Sequence, residues 1–359
     1  MKLIFIAAGG TGGHIYPALA LADEIRTRYP ECRIVFTGSD SRMEQELIPQ
    51  YGYEFIGMHM EILKGSPLHK GAAAFSYLES EERTYRLLKK ERPDACVGFG
   101  NYISIPLITA AERLHIPTMI HEQNSFAGKA NVFLSKRCEA VACSYRNSMQ
   151  QFPANKTRLT GNPAASAAVR RNAGREIIRS YGLDPEVPFV LFMMGSLGSD
   201  SVSEIIDRAI PMFADDYQVL IVTGKAVTYR FRNTDGVRVK TVEFVDGAEM
   251  LRHADLAVTR AGATTICEIT ALGTPAILIP SPFVPNNHQV YNARELSDNA
   301  AAVMIEENEL DAEVLADHVN RLMSDDLNRS ELSKKASAMG TPEAASLMAD
   351  WLEELINHD

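Results

Sequence analysis

The chain has 359 residues, 46% of them hydrophobic and 23% charged, with a net charge of −10 at pH 7. That length exceeds one comfortable hydrophobic core and predicts two domains. The acidic balance argues against a general nucleic-acid surface, which needs clustered Lys and Arg, and no tract reaches the ~18–20 consecutive apolar residues of a membrane-spanning helix.

The first apolar run, Leu3–Ala8, is too short for a signal-peptide core and passes into glycines, not a cleavage site. It predicts a protein that stays where it is made, and it reads as a buried strand. Behind it come Gly9-Gly10-Thr11-Gly12-Gly13-His14 and a helical pattern through Ala18, Leu19, Ala22 and Ile25. Free N–H groups and the positive dipole end at such a helix start attract anions. No Gly-Lys-Ser/Thr follows, so this is no Walker loop. Nor is it the dinucleotide fingerprint: the third glycine position is Ile15, and Thr37-Gly38 lacks the acidic residue. A tight turn explains one or two glycines but not four in five, so a ligand loop is expected. His14 closes it. Positive potential there keeps an imidazole neutral, which suits a general base; the alternative is a histidine that hydrogen-bonds a phosphate or a neighbouring loop.

Further runs at Arg33–Thr37, Ala95–Gly98, Thr118–His121 and Ala140–Cys143 alternate with helical stretches, as in a parallel sheet covered on both faces. Ahead of Ala95, residues 60–70 mix Ile62, Leu63 and Leu68 with Lys64 and Lys70. Apolar side chains rimmed by lysine are what an interfacial membrane contact requires. The helix beyond, through Phe75, Leu78, Tyr85 and Leu88, reads equally as core-facing. Gly100, Asn101 and Tyr102 follow one strand, and His121-Glu122-Gln123-Asn124 ends the next. Such groups can hydrogen-bond a polyhydroxylated substrate, although they also form ordinary turns.

The pattern then restarts. After Gly161-Asn162-Pro163 and a polar stretch to Pro188, the run Phe189–Met193 enters Gly195-Ser196-Leu197-Gly198-Ser199 and a helix through Val202, Ile205, Ile206 and Ala209. Runs at Val219–Thr223, Leu256–Thr259 and Ala276–Ile279 continue it. The expected fold class is α/β, with two Rossmann-like domains at 1–163 and 164–340. A helix at 341–359, with Thr341 as N-cap and Pro342 at its first position, is expected to dock back through Leu347, Met348, Trp351, Leu352 and Leu355.

In the second half, Thr259–Glu268 again runs from a strand through small residues into a helix start. Glu268, one turn inside, could accept both hydroxyls of a ribose; a dipole-favoured glutamate is the alternative. Asn286-Asn287-His288-Gln289 could read sugar hydroxyls. Two anion sites suit a diphosphate flanked by two sugars. No Asp-x-Asp triplet occurs, so a leaving diphosphate must be stabilised by helix dipoles and backbone N–H groups without a metal. The five scattered cysteines show no ligand spacing and suit reduced, buried positions.

Gly9-Gly10-Thr11-Gly12-Gly13-His14-Ile15-Tyr16-Pro17-Ala18-Leu19-Ala20 closely resembles the first loop of the MurG family, the N-acetylglucosaminyltransferases of peptidoglycan synthesis. His121–Asn124, Gly161-Asn162-Pro163, Arg260–Glu268 and Asn286–Gln289 match it in the same order. The resemblance implies the GT-B glycosyltransferase fold with an interdomain cleft, UDP-N-acetylglucosamine as donor and undecaprenyl-linked lipid I as acceptor. It implies lipid II with a β-1,4 bond as product, inversion at the anomeric carbon, and neither cofactor nor metal. It places the protein peripherally on the cytoplasmic face of the cell membrane, against an anionic surface, with other cell-wall synthesis proteins as candidate partners.

By the same resemblance Thr11, Gly12 and Gly13 form the diphosphate loop, and Asn124, Ser196, Ile266, Glu268 and Gln289 supply further donor contacts. The uracil contact falls at Ile266 or near Phe244-Val245. His14 is the candidate base, Glu122 the second candidate catalytic group, and Gly100, Asn101 and Tyr102 lie on the acceptor side. Asn101 stands where the family usually has glycine. Met194 and Leu197 replace glycine and a polar residue, and Asp200 and Ser203 stand where Arg and Asn are common. Ala164 and Ala165 occupy the place of a donor-contacting arginine. A UDP-N-acetylglucosamine 2-epimerase and a weakly active donor-binding scaffold are the alternative functions.

Overall fold

The computed structural model describes residues 1–60, 67–195, 198–234 and 238–357, with 67–75 and 285 described by backbone alone. The chain divides into two compact units, Met1–Ser166 with Pro342–Asp359, and Ala167–Thr341.

The first unit is built on β1 (Leu3–Ala7), α1 (Gly12–Arg28), β2 (Arg33–Ser39), α2 (Glu44–Gln50), β3 (Glu54–Met58) and α3 (Pro67–Glu91). It continues through β4 (Ala95–Gly98), α4 (Ser104–Arg113), β5 (Thr118–Glu122), α5 (Lys129–Leu134), β6 (Ala140–Cys143), α6 (Arg146–Met149) and β7 (Thr157–Leu159). The seven strands are all parallel, in the order β3-β2-β1-β4-β5-β6-β7. Ile4 of β1 lies in register with Ile34 on one side and Ala95 on the other. The chain therefore leaves β1 in one direction and later returns to its far side. At that reversal the loops after β1 and β4 part, and this is where open α/β sheets hold ligands.

After α7 (Ala164–Arg170), the second unit contains β8 (Phe189–Met193), α8 (Asp200–Ala209), β9 (Gln218–Val222), β10 (Val239–Val242), α9 (Gly247–His253) and β11 (Leu256–Thr259). Next come α10 (Ala263–Leu272), β12 (Ala276–Leu278), α11 (His288–Ser297), β13 (Val303–Met304), α12 (Ala312–Ser324) and α13 (Asp326–Met339). Its six parallel strands run β10-β9-β8-β11-β12-β13, which puts the reversal between β8 and β11. Every strand expected from an apolar run is present, with ends within two residues of those expected. Four further strands, β3, β7, β10 and β13, lie at the sheet edges.

All five cysteines are free. Among the described residues, no helix is long and apolar enough to cross a membrane.

The last helix, α14 (Ala344–Asn357), belongs to the first unit and packs on α1. It starts later than Thr341-Pro342, and Leu347, expected on the apolar stripe, is 41% exposed. Met348, Ala349, Trp351 and Leu352 form the buried face, in one cluster with Ile15, Ala18, Leu19 and Ala22 of α1. The Arg158 guanidinium lies 4.5 Å over the Trp351 ring and pairs with Glu354 at 2.7 Å. Arg28 of α1 reaches Asp350 and Ser346. Docking of α14 thus closes the core of the first unit. Trp351→Ala is expected to lower its unfolding free energy by ~3–5 kcal/mol, and Leu347→Ala by less than about 0.5 kcal/mol. Equilibrium urea unfolding of the two variants checks the difference.

Candidate active site

The loop after β1 is held from below by Glu44, which is fully buried at the start of α2. Its carboxylate accepts from the Gly10 amide at 2.9 Å and from the Ser39 amide at 3.0 Å. A Cβ at Gly9 would stand 2.2 Å from Glu44 Oε1, so only glycine lets the loop press this close. Gly10 has φ +84°, and a Cβ there would meet Asn101 Nδ2 at 2.5 Å. The loops after β1, β2 and β4 are thereby locked together. Thr11, the N-cap of α1, is extended and makes no side-chain capping bond. Its hydroxyl lies 2.9 Å from His14 Nδ1 instead.

After β4, Gly100 and Asn101 both adopt left-handed backbone, φ +77° and +61°. Asparagine tolerates that region better than other non-glycine residues, because its short polar side chain bonds locally. Here Asn101 Oδ1 accepts from the Tyr102 amide at 2.7 Å. Asn101 therefore keeps the turn that glycine gives elsewhere in the family. A Cβ on Gly100 would meet Asn131 Nδ2 at 3.2 Å, Gln123 Oε1 at 3.3 Å and His14 Cδ2 at 3.5 Å. The structure thus brings His14, Gly100 and the polar segment after β5 to one place.

His121 is fully buried, with Nε2 at 3.1 Å from the Gly161 carbonyl and its ring 5.3 Å from that of Phe99. Burial pushes its pKa down to about 4, the Gly161 contact opposing and nearby His14 adding to the shift. It is a neutral, structural imidazole. Glu122, expected as a catalytic group, is also inaccessible at 1% exposure. Its oxygens accept from the amides of Asn124 and Gly128, both at 2.9 Å, and from Asn131 Nδ2 at 2.8 Å. Burial raises its pKa, against those hydrogen bonds. With its lone pairs engaged, Glu122 shapes the loop that carries Asn124. Asn124 itself is half-buried on this loop.

In the second unit Ser199 and Gly262 are the N-caps of α8 and α10; the Ser199 side chain makes no capping bond and Gly262 has none to make. Ser196 lies outside the described residues. Ile266 is 1% exposed, and its amide donates to the Gly262 carbonyl at 2.9 Å within α10. Its side chain and its N–H are therefore engaged within the second unit. Phe244, at the other suggested position, is 67% exposed. Glu268 is half-buried; burial pushes its pKa up to about 7, with Arg171 opposing and Asp246 adding to the rise. Gln289 Oε1 accepts from the Ser281 amide at 2.9 Å, fixing the loop after β12.

Of the positions expected to depart from the resembled pattern, Asp200 holds a loop in place. Asp200 accepts from Thr228 Oγ1 at 2.7 Å and from the amides of Thr228 and Tyr229 at 2.8 and 2.9 Å. These bonds hold its pKa below the usual carboxylate range. Met194, Ser203, Ala164 and Ala165 are buried. Leu197 lies outside the described residues, as do Ile62, Leu63 and Lys64. Leu68 and Lys70 fall in the first turn of α3, described by backbone alone.

Among the described residues no group of three or more His, Cys, Asp or Glu could hold a metal ion. Glu44 and Asn131 hold the site together yet carry no sequence signal, since a glutamate and an asparagine in short helices read as surface residues.

Residues 4–143 match the glycosyltransferase family 28 N-terminal domain, and residues 189–348 its C-terminal domain. The UDP-N-acetylglucosamine--N-acetylmuramyl-(pentapeptide) pyrophosphoryl-undecaprenol N-acetylglucosamine transferase of Limosilactobacillus fermentum is 36% identical, over 98% of this chain and 98% of its own. The crystal structure of Acinetobacter baumannii MurG superposes with a TM-score of 0.78 at 26% identity, covering 99% of this chain and 100% of that one. A UDP-N-acetylglucosamine 2-epimerase structure reaches a TM-score of 0.71 at 14% identity, over 99% of this chain and 96% of that one, a likeness of fold alone. With relatives of that identity along nearly its whole length, and both domains matched, the chain belongs to the MurG family of GT-B N-acetylglucosaminyltransferases within glycosyltransferase family 28.

Proposed function

We propose that the protein moves N-acetylglucosamine from UDP-N-acetylglucosamine to the C4 hydroxyl of the muramoyl sugar of lipid I, forming lipid II. The observation that carries this reading is the 36% identity along 98% of the chain to a transferase named for that donor and acceptor. Full activity with the lipid acceptor tests it. Epimerisation of the UDP sugar without acceptor, or binding without turnover, would favour the epimerase or the scaffold.

In the first unit, a His14 Nδ1–H donating to Thr11 Oγ1 leaves Nε2 as the proton acceptor. His14 takes the proton of the acceptor hydroxyl as its oxygen attacks the anomeric carbon. The bond from that carbon to the diphosphate breaks, and UDP leaves with inversion. The glycine loop of Thr11, Gly12 and Gly13 meets the developing negative charge at a helix start. Gly100, Asn101 and Tyr102 serve the acceptor side. Asn124, Ser196 and Gln289 contact the donor, and Glu268 accepts the ribose hydroxyls.

His14→Ala is expected to lower kcat by ~10²–10⁴ with little change in UDP affinity. Glu268 should do the reverse, and with a pH signature. Only its ionised form accepts both hydroxyls, and its pKa stands near 7. UDP affinity should therefore rise with pH through about 7 and level off above, whereas Glu268→Gln should bind weakly with that rise abolished. Calorimetric titration across pH checks both; equal loss of UDP affinity in the two variants would make His14 a phosphate contact.

We also propose that catalysis needs no divalent metal, from the missing Asp-x-Asp and the helix-start anion sites. Activity should survive excess chelator, and a collapse restored by Mg²⁺ or Mn²⁺ would refute this. Finally, a lipid-held acceptor requires the protein at the anionic cytoplasmic face of the membrane, as a peripheral protein. On the sequence pattern alone, Ile62, Leu63, Lys64, Leu68 and Lys70 provide the contact. A folded Leu63→Ser/Leu68→Ser/Lys64→Glu variant should lose co-sedimentation with anionic vesicles while keeping its UDP affinity.

A further inference from the structure

A chain of polar contacts joins four strand ends of the second unit. Ser199, the N-cap of α8, has its hydroxyl 3.1 Å from that of Ser201. Ser201 donates to Glu307 Oε1 at 3.3 Å. The other oxygen of Glu307 accepts from Arg260 Nη1 at 2.5 Å, and the same nitrogen lies 3.2 Å from the Ile279 carbonyl. Ser199 belongs to the loop after β8, Arg260 follows β11 directly, Ile279 follows β12, and Glu307 lies just beyond β13. All four ends are on the carboxyl edge of the sheet, and β8 and β11 flank its reversal.

The Arg260 and Glu307 side chains are only 9% and 14% exposed. Desolvating two charges offsets much of their attraction, so a buried ion pair is poor evidence of stabilisation. Its geometry is better evidence. One carboxylate grips the residue that opens the path into α10 with one oxygen, and the first turn of α8 with the other. These are the starts of the two helices that follow β8 and β11, the strands flanking the reversal of the sheet.

We infer that Glu307 is a positioning residue for the donor diphosphate: by holding Arg260 and Ser201 together it fixes the spacing of the α8 and α10 starts. This rests on the donor reading above. Binding groups must be held to within fractions of an ångström by their supporting contacts. Because UDP and UDP-N-acetylglucosamine carry the same diphosphate, loosening the spacing should weaken both alike. Such a loss of uniform binding raises KM and leaves kcat.

The experiment is UDP calorimetry with steady-state kinetics on the full chain, comparing wild type with Glu307→Ala, Glu307→Gln, Ser201→Ala and the Ser201→Ala/Glu307→Ala double variant. Glu307→Ala should raise the UDP Kd and the donor KM about tenfold, as loss of a group that orients ligand-holding groups commonly does. The acceptor KM and kcat should change little. Ser201→Ala should shift the same two quantities by a smaller factor. The double variant should be no worse than Glu307→Ala, because both changes break one tie. Ser201 is exposed, so its variant keeps the test decisive should Glu307→Ala fail to fold. Unchanged UDP affinity in folded variants would overturn the inference. So would tighter binding by Glu307→Gln, which would make Glu307 a counter-charge to Arg260. Failure of the wild type to bind UDP would instead remove the donor reading.

Discussion

The contact between Gly9 and Glu44 sets the geometry of the first unit's site. A carboxylate with no exposure to water sits 2.2 Å from where a Cβ of residue 9 would stand, and it bonds the amides of Gly10 and Ser39. A larger residue at position 9 would displace Glu44, and two amides would then be buried without an acceptor, at ~1–3 kcal/mol each. The position of Thr11 follows from that clamp, and the position of His14 follows from Thr11. The second loop is fitted against the first, since Asn101 fills the space a side chain on Gly10 would need. His14, the third residue of α1, is thus placed by a glutamate thirty residues away in sequence.

Other carboxylates of the molecule work in the same manner. Glu122 gathers three N–H groups from residues 124–131, Asp200 ties α8 to Thr228 and Tyr229, and Glu307 ties Ser201 to Arg260. Each is satisfied within the protein, and none depends on a ligand. Glu268 contrasts with them. Burial raises its pKa to about 7, and the opposing Arg171 is itself engaged by Asp246. A half-buried carboxylate kept near its titration point is ready to be completed by hydroxyl donors from outside the chain. Carboxylates in this fold thus divide into those whose hydrogen bonds organise loops and Glu268, for which the ribose contact is proposed.

This division explains what the sequence could and could not tell. Central strands such as Phe189–Met193 and Leu256–Thr259 are almost wholly buried, so they read as unbroken apolar runs. The strands it did not reveal, Glu54–Met58, Thr157–Leu159, Val239–Val242 and Val303–Met304, are edge strands with mixed exposure. Half-wet and short, they keep polar residues that hide the signal. The glycine loops were legible because close approach demands glycine whatever the context. The hydrogen bonds of Glu122 were not legible, because a glutamate beside a ligand loop looks the same in sequence whether its oxygens face substrate or backbone. The same holds for Ile266: helical position alone does not say that its amide is already used in the first turn.

The departure at Asp200 bears on how the diphosphate charge is shared. An ionised carboxylate in the first turn of α8 partly cancels the positive end of that helix. It makes that start a weaker anion site than one with no carboxylate in its first turn. The first turn of α1 contains no acidic residue, nor does that of α10, where Arg260 stands just ahead. Under the donor reading, more of the diphosphate's charge within the second unit must then rest on α10 than on α8. The tie from Glu307 to Ser201 gains importance for the same reason: a helix start with a weakened field must be held in place by contacts, because attraction to the ligand will not pull it there.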